Sequence, residues 1–526
     1  MKRFDLIVIG AGPAGLSAAI EAASCGMQVI VFDENHRPGG QLFKQIHKFF
    51  GSKEHKAKTR GFRIGQELLE KAQEKGVTVM LDTVVMGLFE CNGVSVLHDG
   101  KVLHVKGDSV IVATGAAENV VPFEGWTLPG VIGAGAAQTF MNLHRERPGQ
   151  KILMVGSGNV GLVVTFQLLQ AGCEVKALVD VLPRIGGYGV HAAKIARTGV
   201  PFYLSHTIVR AEGTDRVTGA VIAQVDRQFK PIPGTEKHFN VDTICMAVGL
   251  SPMSQLTRMA GCEMTVKGGT VPKCDPYGTT SVPGVYAAGD VAGIEEASSA
   301  MIQGRISALA AARRGEFIDE ETFTERYEIC RNALSKIRSG MFAPGNPKKM
   351  TMTETAEGYP LSLSLLQNGF QTVDELMKFP GRLDKKAGVH PVIECTQNIP
   401  CNPCQDACPR GCITVGEDIT NLPTLNPDKT CIGCGLCVAA CPGQTIFLVN
   451  EAEDSVEITL PYEFLPLPEV GQIGTALDRS GAPLCEATIV NVKLLPVNDG
   501  TALLTMRVPG EMMDRARFYK SREAAQ

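Results

Sequence analysis

With 526 residues, 44% of them hydrophobic and 20% charged, the chain has room for three or four domains and the composition of an ordinary globular protein, which excludes a disordered or fibrous one. A formal net charge of −4, a pI near 6.2 and no basic block give no footprint for nucleic acid or an anionic membrane. The start, MKRF, runs straight into the apolar DLIVIG without the regions of a secretory signal, and the apolar stretch Ile152 to Gly172 is broken by glycines, Ser157 and Asn159, so a cytoplasmic chain with no membrane span is expected.

The segment FDLIVIGAGPAGLSAAIEAASCGMQVIVFDE, Phe4 to Glu34, predicts a strand, a glycine turn, an Ala-rich helix, a second strand and an acid pair. In such a unit Gly10 permits the tight turn, Gly12 lets the backbone approach a pyrophosphate, and Gly15 lets helix and strand pack closely. Pro13 and Ala14 open the helix whose N-terminus faces the anion. Asp33 falls where adenosine ribose hydroxyls would lie, with Glu34 beside it. Three further strings point to flavin. PGGQL carries Gly40 and Gln41, SVIVATGA carries Thr114 and Gly115, and GVYAAGDVAG carries Gly289 and Asp290; all resemble signatures of two-domain flavoprotein reductases. In that resemblance Asp290 meets the flavin ribityl chain or pyrophosphate, and capping a helix that begins near Glu295 is its other open role. Because the last string lies about 270 residues after the first, an FAD domain of residues 1–120 and 276–315 is expected to be discontinuous, with a second nucleotide-binding domain, 121–275, inserted.

That insertion contains KILMVGSGNVGLVVTFQLLQAGCEVKALVD, Lys151 to Asp180, a second strand, turn, helix and strand with Gly156, Gly158, Asn159, Val160 and Gly161 at the turn. Counting as in the first motif lands on Val179 and leaves Asp180, the candidate for the ribose among the nucleotide-binding residues here, one residue late. NAD(H), an adenine nucleotide held for structure, and an empty site all remain open. Arg184, after Pro183 in a loop, is a weak candidate for a 2′-phosphate, which disfavours NADP(H). Neither dinucleotide region holds the paired thiols of a disulfide reductase. Cys25, Cys91, Cys173, Cys245, Cys262, Cys274, Cys330 and Cys485 are read as buried or partly buried side chains without chemistry. His47 in QIHKFFG is read as a polar contact, and no catalytic residue is assigned.

Nine of the 17 cysteines fall between Cys395 and Cys441, and grouped thiols in a reducing compartment are ligands more often than disulfides. From Cys431 the chain reads CIGCGLCVAACP, the C-x2-C-x2-C-x3-C-P run of a bacterial ferredoxin, whose fourth cysteine serves a second cluster. The earlier run, CTQNIPCNPCQDACPRGC, aligns with Asn398 where the first ligand belongs. Crossing the runs yields one complete set, Cys431, Cys434, Cys437 and Cys408, and one deficient set, Cys401, Cys404 and Cys441. Cys395 is favoured over Cys412 to complete the second; if neither serves, the second site is a three-iron cluster or is missing. Residues 316–392 show helical stretches and read as a linker, 393–450 as the ferredoxin-like domain, and 451–526 as a small β-rich domain, with alternating VEITL, ATIVNVKLL and ALLTMRV.

GAGPAG, PGGQL, ATGA, GSGNVG and AAGD together, with GWTLPGVIGAGAAQTFMN, resemble the FAD-containing α subunits of amine and imino acid dehydrogenases over roughly residues 1 to 315. That family includes the sarcosine oxidase α chain, its counterpart in opine oxidase, and proline or hydroxyproline dehydrogenases. The resemblance implies an α/β fold of two nested Rossmann-like domains of glutathione-reductase type, here followed by a two-cluster [4Fe-4S] ferredoxin-like α+β domain and the β-rich tail. It also implies a hetero-oligomer in which a separate flavoprotein subunit oxidises the substrate and a carrier such as ferredoxin or NAD exchanges electrons. Two other readings stand beside it. One is an NAD(P)H:acceptor or ferredoxin oxidoreductase resembling the glutamate synthase small subunit; the other is a non-catalytic assembly subunit with a structural adenine nucleotide.

Overall fold

The computed structural model describes residues 2–89, 92–266, 269–347, 349–382 and 388–522. Cys91 lies outside them. The chain divides into two compact units, each discontinuous in sequence.

The first unit comprises residues 1–49, 54–119 and 249–338. Its seven-stranded sheet runs Thr78–Met80, Val29–Phe32, Lys2–Ile9, Lys101–Val112, Gly93–His98 and Thr83–Phe89, with Val285–Ala287 also paired to Lys101–Val112. The pairs from Thr78–Met80 through Lys101–Val112, and that of Val285–Ala287, are parallel. The apolar run LIVI of the central strand is buried on both faces, as a parallel strand between helices requires. Helix Pro13–Ser24 packs on helix Ala297–Arg314 so closely that a Cβ on Gly304 would collide with the Ala14 carbonyl oxygen. Beside that contact the buried Glu21 carboxylate accepts from Arg305 Nε at 2.8 Å and pairs with Arg326 of helix Glu320–Ile337. That last helix, expected in a linker, belongs to this unit, as do residues 249–275, expected in the insertion. The reason for the second shift is strand pairing: Leu250–Pro252 pairs with Ala116–Glu118.

The second unit comprises residues 50–53, 120–248 and 339–526. One of its sheets is parallel, in the order Phe202–Leu204, Glu174–Asp180, Lys151–Val155, Thr243–Met246 and Val131–Gly133. Another is seven-stranded and antiparallel: His390–Ile393, Ile446–Glu451, Ser455–Tyr462, Ala502–Pro509, Pro483–Lys493, Ile473–Leu477 and Phe518–Ser521. The tail strands therefore do not build a domain of their own. They extend a sheet whose first two strands bracket the cysteine runs, because Ile446–Glu451 pairs with Ser455–Tyr462 over the short turn between them. Within the residues expected to form a helical linker, the stretch Leu361 to Phe379 breaks at Gly369 into Leu363–Asn368 and Val373–Leu376, the second opened by a capping box of Thr372 and Glu375.

Gly304→Val should lower stability by about 1–3 kcal/mol, the usual cost of overpacking, read as a fall in thermal midpoint. An unchanged midpoint would mean that the two helices part without cost.

Candidate cofactor sites

At the first glycine turn, Gly10 has φ +104° and lies so near Ala113 that a Cβ would strike its carbonyl oxygen; a Cβ on Gly15 would strike the carbonyl oxygen of Gly10. Gly12 is different. A Cβ there meets nothing within 4 Å, and Gly12 is the N-cap of helix Pro13–Ser24 without a capping side chain, so the first-turn N–H groups around Ala14 are left for an anion. Asp33, 7% exposed, accepts from the Ala11 N–H at 2.6 Å and from the Asn35 N–H at 2.8 Å, stapling the second strand to the turn, while Glu34 is exposed. Gly39 donates its N–H to Ala11 O at 2.7 Å and brings Gly40 over Gly12, with Gln41 exposed. Thr114 donates its hydroxyl to Met253 O at 2.8 Å, and Gly115 accepts the Met253 N–H at 3.0 Å. Gly289 donates to Gln303 Oε1 at 2.9 Å, and Asp290 accepts the Glu295 N–H at 3.2 Å, two residues before helix Ala297–Arg314. Burial raises the Asp290 carboxyl above its ordinary range despite that hydrogen bond.

The second turn repeats this construction. Gly156 has φ +109° and stands against the Ala247 carbonyl, Gly161 against the Gly156 carbonyl, and a Cβ on Gly158 meets nothing within 4 Å. Gly158 caps helix Asn159–Gln170, and Val160 on its first turn is exposed. The one-residue offset of Asp180 does not displace it. Val155 pairs with Val179 just as Ile9 pairs with Phe32, because the register shifts between Val175 and Ala177 and a bulge at Lys176 takes up the extra residue. Asp180 consequently accepts the Ser157 N–H at 2.6 Å and the Leu182 N–H at 2.9 Å, as Asp33 accepts those of Ala11 and Asn35. A feature missed in the sequence completes the likeness: Gly187 donates to Ser157 O at 2.8 Å, as Gly39 does to Ala11 O. The glycine pair in RIGGYG was the available signal. Arg184 is tied to Met352 O at 2.9 Å.

The nine clustered cysteines line two cavities. Cys395, Cys401, Cys404 and Cys441 line one, together with Phe50, Val190, Ile393 and Ile399. Cys408, Cys431, Cys434 and Cys437 line the other, with Cys412 beside them. Asn398 is fully engaged elsewhere: its amide nitrogen donates to Glu357 Oε2 at 3.0 Å and Thr420 O at 3.0 Å, and its oxygen accepts the Ala356 N–H at 2.8 Å. Burial alone would raise Glu357, but Asn398 and the Leu422 N–H bring its carboxyl below the ordinary range. Burial pushes the Cys395 thiol up to about 12 and those of Cys401, Cys404 and Cys437 well above the ordinary value. At Cys408 burial is outweighed by N–H groups from Cys412, Arg410 and Ile413, and the thiol falls. Thiols so buried ionise only when a cation replaces their protons, which fits them for metal. Among the described residues no three His, Cys, Asp or Glu side chains converge on a point suited to a single ion. Each set of cysteines lines a cavity, and a cubane on four thiolates needs such a space.

The sequence model of the pyridine nucleotide-disulphide oxidoreductases matches residues 4–304, more than half of the chain. The chain belongs to that family. A model of the 4Fe-4S binding domain matches residues 428–447. The protein is thus an FAD-dependent oxidoreductase that carries an iron-sulfur domain. It is similar to an opine oxidase subunit of Agrobacterium tumefaciens, 29% identical over 351 residues, covering 61% of this chain and 67% of that one. It is also similar to hydrogen cyanide synthase subunit HcnB of Pseudomonas aeruginosa, 28% identical over 359 residues, covering 64% and 77%. Thioredoxin reductase of T. acidophilum shares the fold, with a TM-score of 0.51 and 21% identity over 60% of this chain and all of that one. The remaining solitary cysteines among the described residues are buried or half-buried, and His47 stacks on Phe49 with centroids 5.8 Å apart. No described helix is long and apolar enough to cross a membrane.

Gly12→Val and Gly158→Val separate binding from folding, since an added Cβ at either position meets no protein atom within 4 Å. Gly12→Val should keep the apoprotein's thermal midpoint and lose the flavin absorbance on purification. Gly158→Val should keep the flavin.

Proposed function

We propose that this family member is the electron-transfer subunit of a multi-subunit dehydrogenase acting on an amine or imino acid such as proline, hydroxyproline or a sarcosine-like compound. The observation that carries the reading is the sorting of the nine clustered cysteines, from two successive runs, into one cavity with four and another with four and Cys412 as a fifth, each cavity drawing on both runs. Two centres that each take one electron are of use where electrons pass singly between a flavin and a distant carrier. Cys431, Cys434, Cys437 and Cys408 would hold one [4Fe-4S] cluster and Cys395, Cys401, Cys404 and Cys441 the other.

The flavin supplies, when bound, the exchange between paired and single electrons. Gly10, Gly12, Pro13, Ala14, Gly15 and Asp33 would hold its adenosine and pyrophosphate end, and Gly40, Gln41, Thr114, Gly115, Gly289 and Asp290 the remainder. At the clusters the chain's own task is to bury the thiolates and stabilise charge on sulfur. The Cys412 N–H donates to Cys408 Sγ at 3.2 Å and the Gly433 N–H to Cys431 Sγ at 3.4 Å. Two relatives bear names as subunits of an oxidase and a synthase, which supports a partner chain as the site of substrate oxidation; in this reading the electron carrier is one such as ferredoxin or NAD.

A second reading is favoured by one observation. Asp180 stands against its turn as Asp33 does, which supports an adenine-containing nucleotide in the second fold, held by Gly156, Gly158, Asn159, Val160, Gly161 and Asp180. If that nucleotide is NAD(H), the chain is an NADH:acceptor oxidoreductase in its own right.

An anaerobic iron and flavin count followed by NADH titration distinguishes these. The expected result is one FAD and about eight irons per chain, with no bleaching by NADH. Rapid bleaching would establish the second reading. Cys395→Ser should lower the iron to about four per chain, and Cys412→Ser should leave it unchanged; the reverse pattern would exchange their roles.

A further inference from the structure

Next to the cavity of Cys395, Cys401, Cys404 and Cys441 lies a cluster of buried charge that iron-sulfur ligation does not use. Glu394 adjoins Cys395 in the chain, and its carboxylate accepts from Arg479 Nε at 3.0 Å and from Arg517 Nε at 2.5 Å. Arg517 is 0% exposed. Arg382 pairs with Asp514 nearby, and Arg479 also donates to Asp514 O at 2.7 Å.

Arg197 reaches the same cluster from a different part of the chain. It follows helix Gly189–Ala196 of the second nucleotide fold, is 5% exposed, and donates Nη1 to Gln444 O at 3.0 Å. Its guanidinium lies over Phe447 at 5.3 Å from the ring centroid, and that of Arg517 lies over the same ring at 5.1 Å. Gln444 sits in the segment Cys441 to Ile446, most of which forms one wall of the cavity. Arg197 Nε is buried with no hydrogen-bond partner among the described residues.

Among the described residues of this cluster, Arg382, Arg479 and Arg517 pair with Asp514 or Glu394, and Arg197 lies within the field of Glu394 without pairing with it, so four guanidiniums share two carboxylates. Burial lowers the Arg197 guanidinium to about 10, which leaves it charged at neutral pH. A buried cation without a full counter-charge is costly unless an anion stands near it. A cubane on four thiolates is such an anion, and reduction adds one more negative charge. The other cavity has one guanidinium in its lining, Arg410, beside Pro391, Pro409, Ile413, Ile432 and Leu448, but Arg410 is exposed and water screens its charge, whereas Arg197 is buried.

We propose that Arg197 sets the reduction potential of the cluster held by Cys395, Cys401, Cys404 and Cys441, raising it above that of the other cluster. The second nucleotide fold thereby contributes an electrostatic element to electron transfer whatever nucleotide it binds. The inference rests on the two-cluster reading. Arg197 acts as a positioning residue through its field, since a positive neighbour in a medium of low dielectric stabilises the reduced cluster more than the oxidised one.

The test is a redox titration of the full chain with its clusters, followed by electron paramagnetic resonance under anaerobic conditions. The signal of interest is the one that Cys395→Ser removes. Arg197→Met should move its midpoint downward by at least a tenfold change in the oxidised-to-reduced ratio, about 59 mV for one electron, and leave the other signal in place. Arg197→Lys should restore it, and Glu394→Gln should move it upward. An unmoved midpoint in Arg197→Met, with about eight irons retained, overturns the inference alone. If Arg197→Met loses the cluster, Glu394→Gln decides: an upward shift supports the inference and no shift overturns it. About four irons in the unmodified chain overturns the two-cluster reading, and the inference with it.

Discussion

Backbone pressed against backbone without room for a side chain is the constraint on which the first unit depends. Gly10 meets the Ala113 carbonyl, Gly15 meets that of Gly10, and Gly304 meets that of Ala14. Three stretches far apart in sequence are drawn together by these contacts, so the unit must be discontinuous. The same approaches that pack the helix on the sheet leave Gly12 facing open space at a helix N-terminus. Packing and anion binding are therefore two consequences of one turn. The second fold repeats them with Gly156, Gly161 and Gly158.

A different problem governs the iron-sulfur region, where thiols and charges are removed from water together. Thiols driven toward their neutral form are stable apart from metal and become good ligands only when a cation displaces the proton. The buried guanidiniums around Glu394 have the converse requirement, for negative charge nearby. The antiparallel sheet makes both tolerable. Its strands His390–Ile393 and Ile446–Glu451 bracket the cysteine runs, and the tail strand Ala502–Pro509 adds Leu503 to the apolar cluster that buries Cys404 and Cys437. Arg479 and Arg517 come from that tail, which gives it a part in the electrostatics as well as the packing.

Local signals carried much of this. The turn glycines, the flavin strings and the C-x2-C-x2-C-x3-C-P run are short, and each states its chemistry within a dozen residues, since a turn or a ligand loop is made by neighbours in the chain. Helix Glu320–Ile337 was legible for the same reason, although its place in the first unit was not. Asp180 marks the boundary of such reasoning. Counting residues put it out of register, because a count assumes regular pairing and cannot detect the bulge that absorbs Lys176.

What the sequence by itself determined was the class of the protein and its local chemistry: two dinucleotide turns, an FAD-dependent oxidoreductase and thiolates spaced for iron and sulfur. Only the tertiary structure decided how distant pieces combine. It brought Cys395 beside Cys401, Cys404 and Cys441, engaged Asn398 with Glu357, joined the tail to the cysteine region in one sheet, and set Arg197 behind the Gln444 carbonyl. The physical reason is range. Turns and ligand loops follow from bonds and sterics between near neighbours, whereas cavities, buried charge and sheet order follow from burial, which depends on every segment that shares the core.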